Sequence, residues 1–120
     1  MGKEQRLRHR KDFAAAYRTG RVQSNQLLVL RVAPNARDVT RFGFVTGKVV
    51  GSAVVRNTVK RRLREAVREI GAAPGLDIVI GARKPAATAG YQALRQALYA
   101  LIKRAGALPP TGSERPQENS

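Results

Sequence analysis

Between Arg56 and Ile70 the apolar residues Val59, Leu63, Ala66, Val67 and Ile70 recur at the spacing of one helix face. The same stretch carries Arg56, Lys60, Arg61, Arg62, Arg64 and Arg68. At about 100° per residue, the apolar set fills about a third of the helical wheel. Lys60, Arg64, Asn57, Arg68 and Arg61 fall on the adjacent arc. Thr58, Glu65 and Glu69 lie opposite the apolar set, and Arg62 stands on the far flank. Such a helix cannot stand alone. Another layer must cover its apolar stripe while its cationic stripe stays at the surface.

Lys60, Arg64 and Arg68 follow one another at i, i+4 and i+8. Like charges at that spacing cost about 0.2–0.5 kcal/mol per pair. A merely solvated helix face usually mixes charge signs instead. We read Glu65, Glu69 and Arg62 as that kind of solvating charge, with Arg61 and Arg62 placed to pair with Glu65. Lys60, Arg61, Arg64 and Arg68 together suit a row of phosphates, because a guanidinium fork binds a phosphate bidentately. Asn57 adds a hydrogen bond to sugar, phosphate or base.

The rest of the chain agrees. Lys and Arg number 23 against eight Asp and Glu, giving a net charge of +15 over 120 residues. A compact domain with that excess repels itself unless a polyanion screens it, and nucleic acid is the expected partner. No apolar run approaches the ~20 residues of a membrane span. An anionic membrane surface is the lesser reading. Cysteine is absent, which removes disulfides and Cys-based zinc sites. Met1 to Arg6 leads into no apolar signal segment, so the expected setting is cytoplasmic.

The length fits one small domain over 1–108, followed by a disordered polar tail over 109–120. A helix is expected from about His9 to Arg18, with Phe13, Ala16 and Tyr17 on one face and Gly20 ending it. Leu27–Val32 and Arg41–Thr46 read as strands around a turn at 34–40. Val49-Val50 and Ala53–Val55 read as a strand end or ordered loop. The basic helix spans about Asn57 to Ile70. Leu76–Ile80 is another strand, and a last helix runs from about Ala89 to Ala105. The fold class is α+β, with helices packed on a small sheet.

A catalytic reading of the chain finds no support. The one histidine, His9, sits in a basic terminal segment, and the eight carboxylates are scattered. Asp12 suits a helix cap and Asp77 a turn. No set converges for metal-assisted or acid–base hydrolysis. Gly43, Gly47 and Gly51 fit no phosphate-cradling loop. Phe13 and Tyr17, flanked by Arg8, Lys11, Arg18 and Arg21, have the makings of a platform for single-stranded RNA, with Arg31 extending it. Aromatics at i, i+4 more often anchor a helix to a core, and the residues alone leave both readings open.

Arg56-Asn57-x-x-Lys60-Arg61-x-x-Arg64-Glu65 resembles the signature of the bacterial ribonuclease P protein subunit. Leu7-x-x-x-Lys11-Asp12-Phe13-x-x-x-Tyr17-x-x-Gly20 resembles its first helix. Arg41–Val45 with Lys48, Gly51, Ala53 and Val54 resembles the segment before the signature. Asp77–Ile80 with Ala82 and Arg83 resembles its last strand. The resemblance spans about Leu7 to Ala105. It implies an αβββαβα order with a left-handed crossover through the basic helix, where right-handed ones are the rule.

The resemblance also implies a part in an endonuclease that removes the 5′ leader of precursor tRNA. The RNA subunit would be the catalyst and would hold the Mg²⁺, with no cofactor on the protein and no small-molecule substrate. Arg56, Asn57, Lys60, Arg61, Arg64, Arg68 and Lys48 would meet the RNA subunit. Phe13, Tyr17, Arg31 and Lys11 would take the leader. Thr58 stands where the signature often has a base. Val49 replaces a common Lys. Arg31 stands where an aromatic is common. On the residues alone, a structural RNA-binding module and a DNA-groove binder remain the alternatives.

Overall fold

A computed structural model describes residues 5–7 and 10–110. Residues 111–120 of the expected polar tail at 109–120, with His9 and the Asp12 side chain, lie outside the described residues. Five strands form one sheet, with helices on both faces. In chain order the elements are β1 (Gln5–Arg6), α1 (Arg10–Thr19), β2 (Arg21–Ser24), β3 (Leu28–Pro34), β4 (Arg41–Thr46), α2 (Ala53–Ile70), β5 (Leu76–Ala82) and α3 (Tyr91–Arg104). The strands lie in the order β1-β4-β5-β3-β2. β4 runs parallel to β5, and α2 connects them. β3 pairs antiparallel with β5 and with β2.

The pleat decides which residues meet which layer. On β3, Leu28, Leu30 and Val32 point to one face, and on β5 Ile78 and Ile80 join them, all buried. α2 and α3 cover that face with Val59, Leu63, Ala66, Val67, Leu94, Leu98, Leu101 and Ile102. Each fully buried side chain of this size contributes about 1.5–3 kcal/mol. The opposite face carries Val29, Arg31, Val79 and Gly81, and among the described residues only α1 crosses it, packing Ala16 and Phe13 against Val79 and Leu7. Beyond α1 no other described element covers that face.

Several expectations are corrected. β1 was not anticipated: Gln5 and Arg6 pair with Arg41 and Phe42. β2 was missed because Arg21–Ser24 is short, mostly polar and paired on one side only. Val49-Val50 and Ala53–Val55 are not strand. Lys48–Val50 form a 3-10 turn, and Ala53–Val55 are the first turn of α2. Ser52 explains the change, since its hydroxyl accepts from the Val55 N–H as an N-cap. The capped start overrides the β-branched composition of Val54 and Val55.

Asp77 is not a turn residue. It is buried in β5 and takes both Arg41 Nε and Nη2, at 2.9 and 2.7 Å, and the Asn35 amide at 3.0 Å. Arg41 and Asp77 are register partners on neighbouring strands, so the pairing follows from the sheet. Glu65 pairs with Arg68 rather than with Arg61 or Arg62. Arg62 instead donates to the Ala89 carbonyl, tying α2 to the segment before α3.

Candidate nucleic-acid interface

Two concave surfaces gather the residues named from the sequence. The first lies on the open face of the sheet. Tyr17 from α1, Val29 and Arg31 from β3, Val45 from β4, and Val79 and Gly81 from β5 line it. These are the alternate residues of each strand, which the pleat puts on one side. Tyr17 is 47% exposed, although Ala16 beside it is fully buried. The Arg31 guanidinium sits 4.6 Å above the centre of the Tyr17 ring, a cation–π pair. One ring face is therefore occupied and the phenol edge remains open. Lys11 is exposed on α1. Arg21 does not join this surface: it pairs with Val32 and so faces the other side of the sheet.

The second concavity runs beside β4, between α1 and α2. Arg6, Leu7, Phe13, Phe42, Gly43, Phe44, Lys60 and Arg64 line it. Among the described residues no carboxylate lines either surface. Phe13 separates the two. Its ring lies over Gly43, so close that a Cβ there would come 2.7 Å from Cζ and 3.1 Å from Leu7 Cδ1. Phe13 is thus chiefly the anchor of α1, and Tyr17 is the exposed platform. The sequence alone did not separate those roles, because both aromatics share one helix face.

α2 places its cations along one flank. Lys60 and Arg64 border the second concavity, while Asn57, Arg61 and Arg68 are exposed. Arg56 is half-buried, and its Nε is buried with no hydrogen-bond partner among the described residues. Its wheel position, inside the apolar arc, accounts for that burial. Lys48 is exposed on the 3-10 turn before α2. On the other flank Glu69 binds Arg95 of α3. That guanidinium holds the Glu69 carboxyl below its usual 4.5, with the nearby Tyr91 hydroxyl adding to the shift. Burial, then the Glu69 carboxylate, push the Tyr91 phenol up. The acidic residues of α2 are therefore spent on Arg68 and on α3, away from Lys60 and Arg64.

Gly43, Val45 and Gly81 escaped the sequence reading. Non-local strand pairing brings them together. The parity of Val29 and Arg31 in β3 was the one usable signal for the floor of the open face. Among the described residues, no three His, Cys, Asp or Glu side chains gather to hold a metal. No helix there is long and apolar enough to cross a membrane.

Known proteins share this fold. The family model for ribonuclease P matches residues 1–106. The ribonuclease P protein component of Roseiflexus castenholzii is 39% identical over 99% of this chain and all of its own. That of Streptomyces avermitilis is 44% identical over 84% of this chain and 91% of its own. The solved ribonuclease P protein of Staphylococcus aureus superposes with a TM-score of 0.78 at 30% identity, covering 86% of this chain and 96% of that one. The Thermotoga maritima protein gives 0.76 at 32% identity, covering 84% and 97%. With a family match over most of its length and relatives this similar end to end, the chain belongs to the ribonuclease P protein family.

Proposed function

We propose that the chain acts in tRNA 5′ processing as the RNA-binding protein of ribonuclease P, and that its two surfaces divide the work. The cationic flank of α2, with Asn57, Lys60, Arg61, Arg64, Arg68, Arg56 and Lys48, docks the catalytic RNA subunit. The open face of the sheet, with Tyr17, Arg31 and Lys11, takes the single-stranded 5′ leader of precursor tRNA. The observation that carries this reading is the separation of a cationic stripe on α2, whose Lys60 and Arg64 have no carboxylate partner among the described residues, from an aromatic platform on α1. A guanidinium covers one face of that platform, and the Tyr17 ring stays 47% exposed.

The chemistry follows from what the side chains can do. Arg and Lys on a rigid helix neutralise phosphates and fix register without reading sequence. A base stacked on Tyr17 is held through its π-face, so any leader base is accepted. Binding both the catalyst and the leader raises the effective concentration of the scissile phosphate at the RNA. Asp77 is used by Arg41 and Asn35, and Glu65 and Glu69 by Arg68 and Arg95. In this reading the RNA subunit holds the hydrolytic Mg²⁺, and the complex works in the cytoplasm. The direct test adds the purified chain to a bacterial ribonuclease P RNA at low Mg²⁺ and measures precursor tRNA cleavage. Restored cleavage at the mature 5′ end is expected. Failure to restore it, with an RNA that a known family member activates, would overturn the proposal.

A further inference from the structure

The turn that joins β2 to β3 gathers arginines that neither proposed surface uses. Asn25 builds it. Its side-chain oxygen accepts from the Leu27 and Leu28 N–H groups at 3.1 and 3.0 Å, and its amide donates to the Ala97 carbonyl of α3 at 3.1 Å. The turn is thereby fixed to both β3 and α3. Two arginines from remote parts of the chain close on it. Arg83, just past β5, donates through Nη1 to the Asn25 carbonyl at 3.2 Å. Arg104, in the last turn of α3, donates through Nη1 to the Ser24 carbonyl at 3.2 Å. Arg21 leaves β2 on the α3 side, as its register partner Val32 does on β3. All three arginines are exposed. Among the described residues none of them has a carboxylate partner. The acids whose side chains are described lie elsewhere: Asp77 on Arg41, Glu65 on Arg68, Glu69 on Arg95, and Asp38 in the turn at the far end of β3.

Arg83 and Arg104 each commit one of five N–H donors to the turn, which holds two like-charged forks at adjacent carbonyls. A merely solvated surface mixes charge signs, whereas fixed guanidinium forks without acids suit phosphates. The Tyr17–Arg31 pair lies on the opposite face of the sheet from α3, so this corner has cations without a stacking platform. Single strands are held by cations and aromatics together, while contact to the backbone of a folded RNA needs cations alone. β2 and β4 are three strands apart, about 14 Å, so the corner and the α2 flank beside β4 stand at opposite edges of the sheet. We infer that the corner is a second docking contact for the RNA subunit, taking its phosphate backbone at a segment separate from the one that α2 meets. The inference rests on the proposed function. The leader is placed on the open face, and the body of the precursor follows the scissile phosphate toward the α2 edge. The RNA subunit is the partner left for the opposite edge. Held at both edges, the protein has a single orientation on it.

The chain has no cysteine, so a single introduced one can carry an iron chelate that cuts nearby RNA backbone. Gln26→Cys places it at the exposed turn, and Val54→Cys at the exposed start of α2. With ribonuclease P RNA alone, both are expected to cut that RNA, at different segments. Arg83→Ala combined with Arg104→Ala is expected to lower the slope of log K against log salt for the RNA subunit by about 1.4–1.8, two phosphates' worth. The loss should add to that of Arg64→Ala and should not depend on the leader of any precursor present. Arg83→Lys with Arg104→Lys keeps both charges and is expected to restore most of the slope. Cutting from Gln26→Cys confined to the leader of added precursor would assign the corner to the substrate and overturn the inference. So would no cutting from Gln26→Cys under conditions where Val54→Cys cuts, or an unaltered slope in the double alanine variant. Failure of the unmodified chain to bind the RNA subunit would instead strike the proposed function itself.

Discussion

Gly43→Ala probes the contact that holds α1 on the sheet. Gly43 is buried in β4 beneath the Phe13 ring. An added methyl would lie 2.7 Å from Phe13 Cζ, closer still to its Cε1, and 3.1 Å from Leu7 Cδ1. Carbon atoms rest at about 3.5–4.0 Å, so the ring must retreat by about 1 Å. Overpacking of this kind costs about 1–3 kcal/mol. Replacing a strand glycine by alanine returns about 0.5–1 kcal/mol, because the unfolded chain loses freedom. The clash wins, leaving a net loss of about 1–2 kcal/mol. For a domain of about 100 residues that is a drop in Tm of about 4–16 °C. Tyr17 lies one turn beyond Phe13 on α1, so the displacement also shifts the leader cleft while α2 stays in place. Thermal unfolding and filter binding check both effects. The variant should lose affinity for leader-bearing precursor more than for mature tRNA, with its salt slope on the RNA subunit unaltered. Adding Phe13→Leu should recover part of the stability by vacating the space. A variant with wild-type Tm and wild-type leader preference would refute the reasoning.

Three further outcomes are expected. Arg64→Ala should lower the slope of log K against log salt for the RNA subunit by about 0.7–0.9, one phosphate's worth, and an unchanged slope removes Arg64 from the phosphate set. Tyr17→Ala should cost leader-bearing precursor about 1–3 kcal/mol of binding, the value of one stacked base, and mature tRNA much less. Equal losses would take Tyr17 out of the leader site. Asp77→Ala removes the bidentate carboxylate from the Arg41 guanidinium, whose side chain is only 14% exposed. Deleting one partner of a buried ion pair costs up to about 3–5 kcal/mol, to be read by urea denaturation. A loss below about 1 kcal/mol would show that water reaches Arg41 as easily as in the unfolded chain.

The parts of this molecule legible in the sequence are those set by local periodicity. Val59, Leu63, Ala66 and Val67 announce α2 because one helix face must be apolar, and all four are buried. Leu94, Leu98, Leu101 and Ile102 do the same for α3. β3 and β5 are found from their β-branched runs between breakers. The residues that were missed depend on partners far along the chain. Arg41 is 36 residues from Asp77, and nothing near either one marks the pair. Arg21–Ser24 becomes a strand only because β3 offers an edge to a mostly polar segment. Val54 reads as a strand end or ordered loop, yet it is 74% exposed on the first turn of α2, where the Ser52 cap outweighs side-chain preference. Arg6 reaches Lys60 and Arg64 through the short parallel pairing of β1 with β4, which no pattern within either segment encodes.

The strand order also governs how the chain is made. β3 and β4 are consecutive in sequence but not neighbours, since β5 lies between them. Until residues 76–82 have left the ribosome, each of those strands has an unfilled edge facing the gap. The apolar stripe of α2 then has no finished sheet to cover. Contacts this distant in sequence carry the full loop-closure cost before they repay it, which slows folding. A nascent chain halted after α2 is therefore a strongly cationic polymer without a completed core. Arrival of one late strand fills both edges at once, so the floor that joins Val29 and Arg31 to Val45 is complete only when β5 is in place.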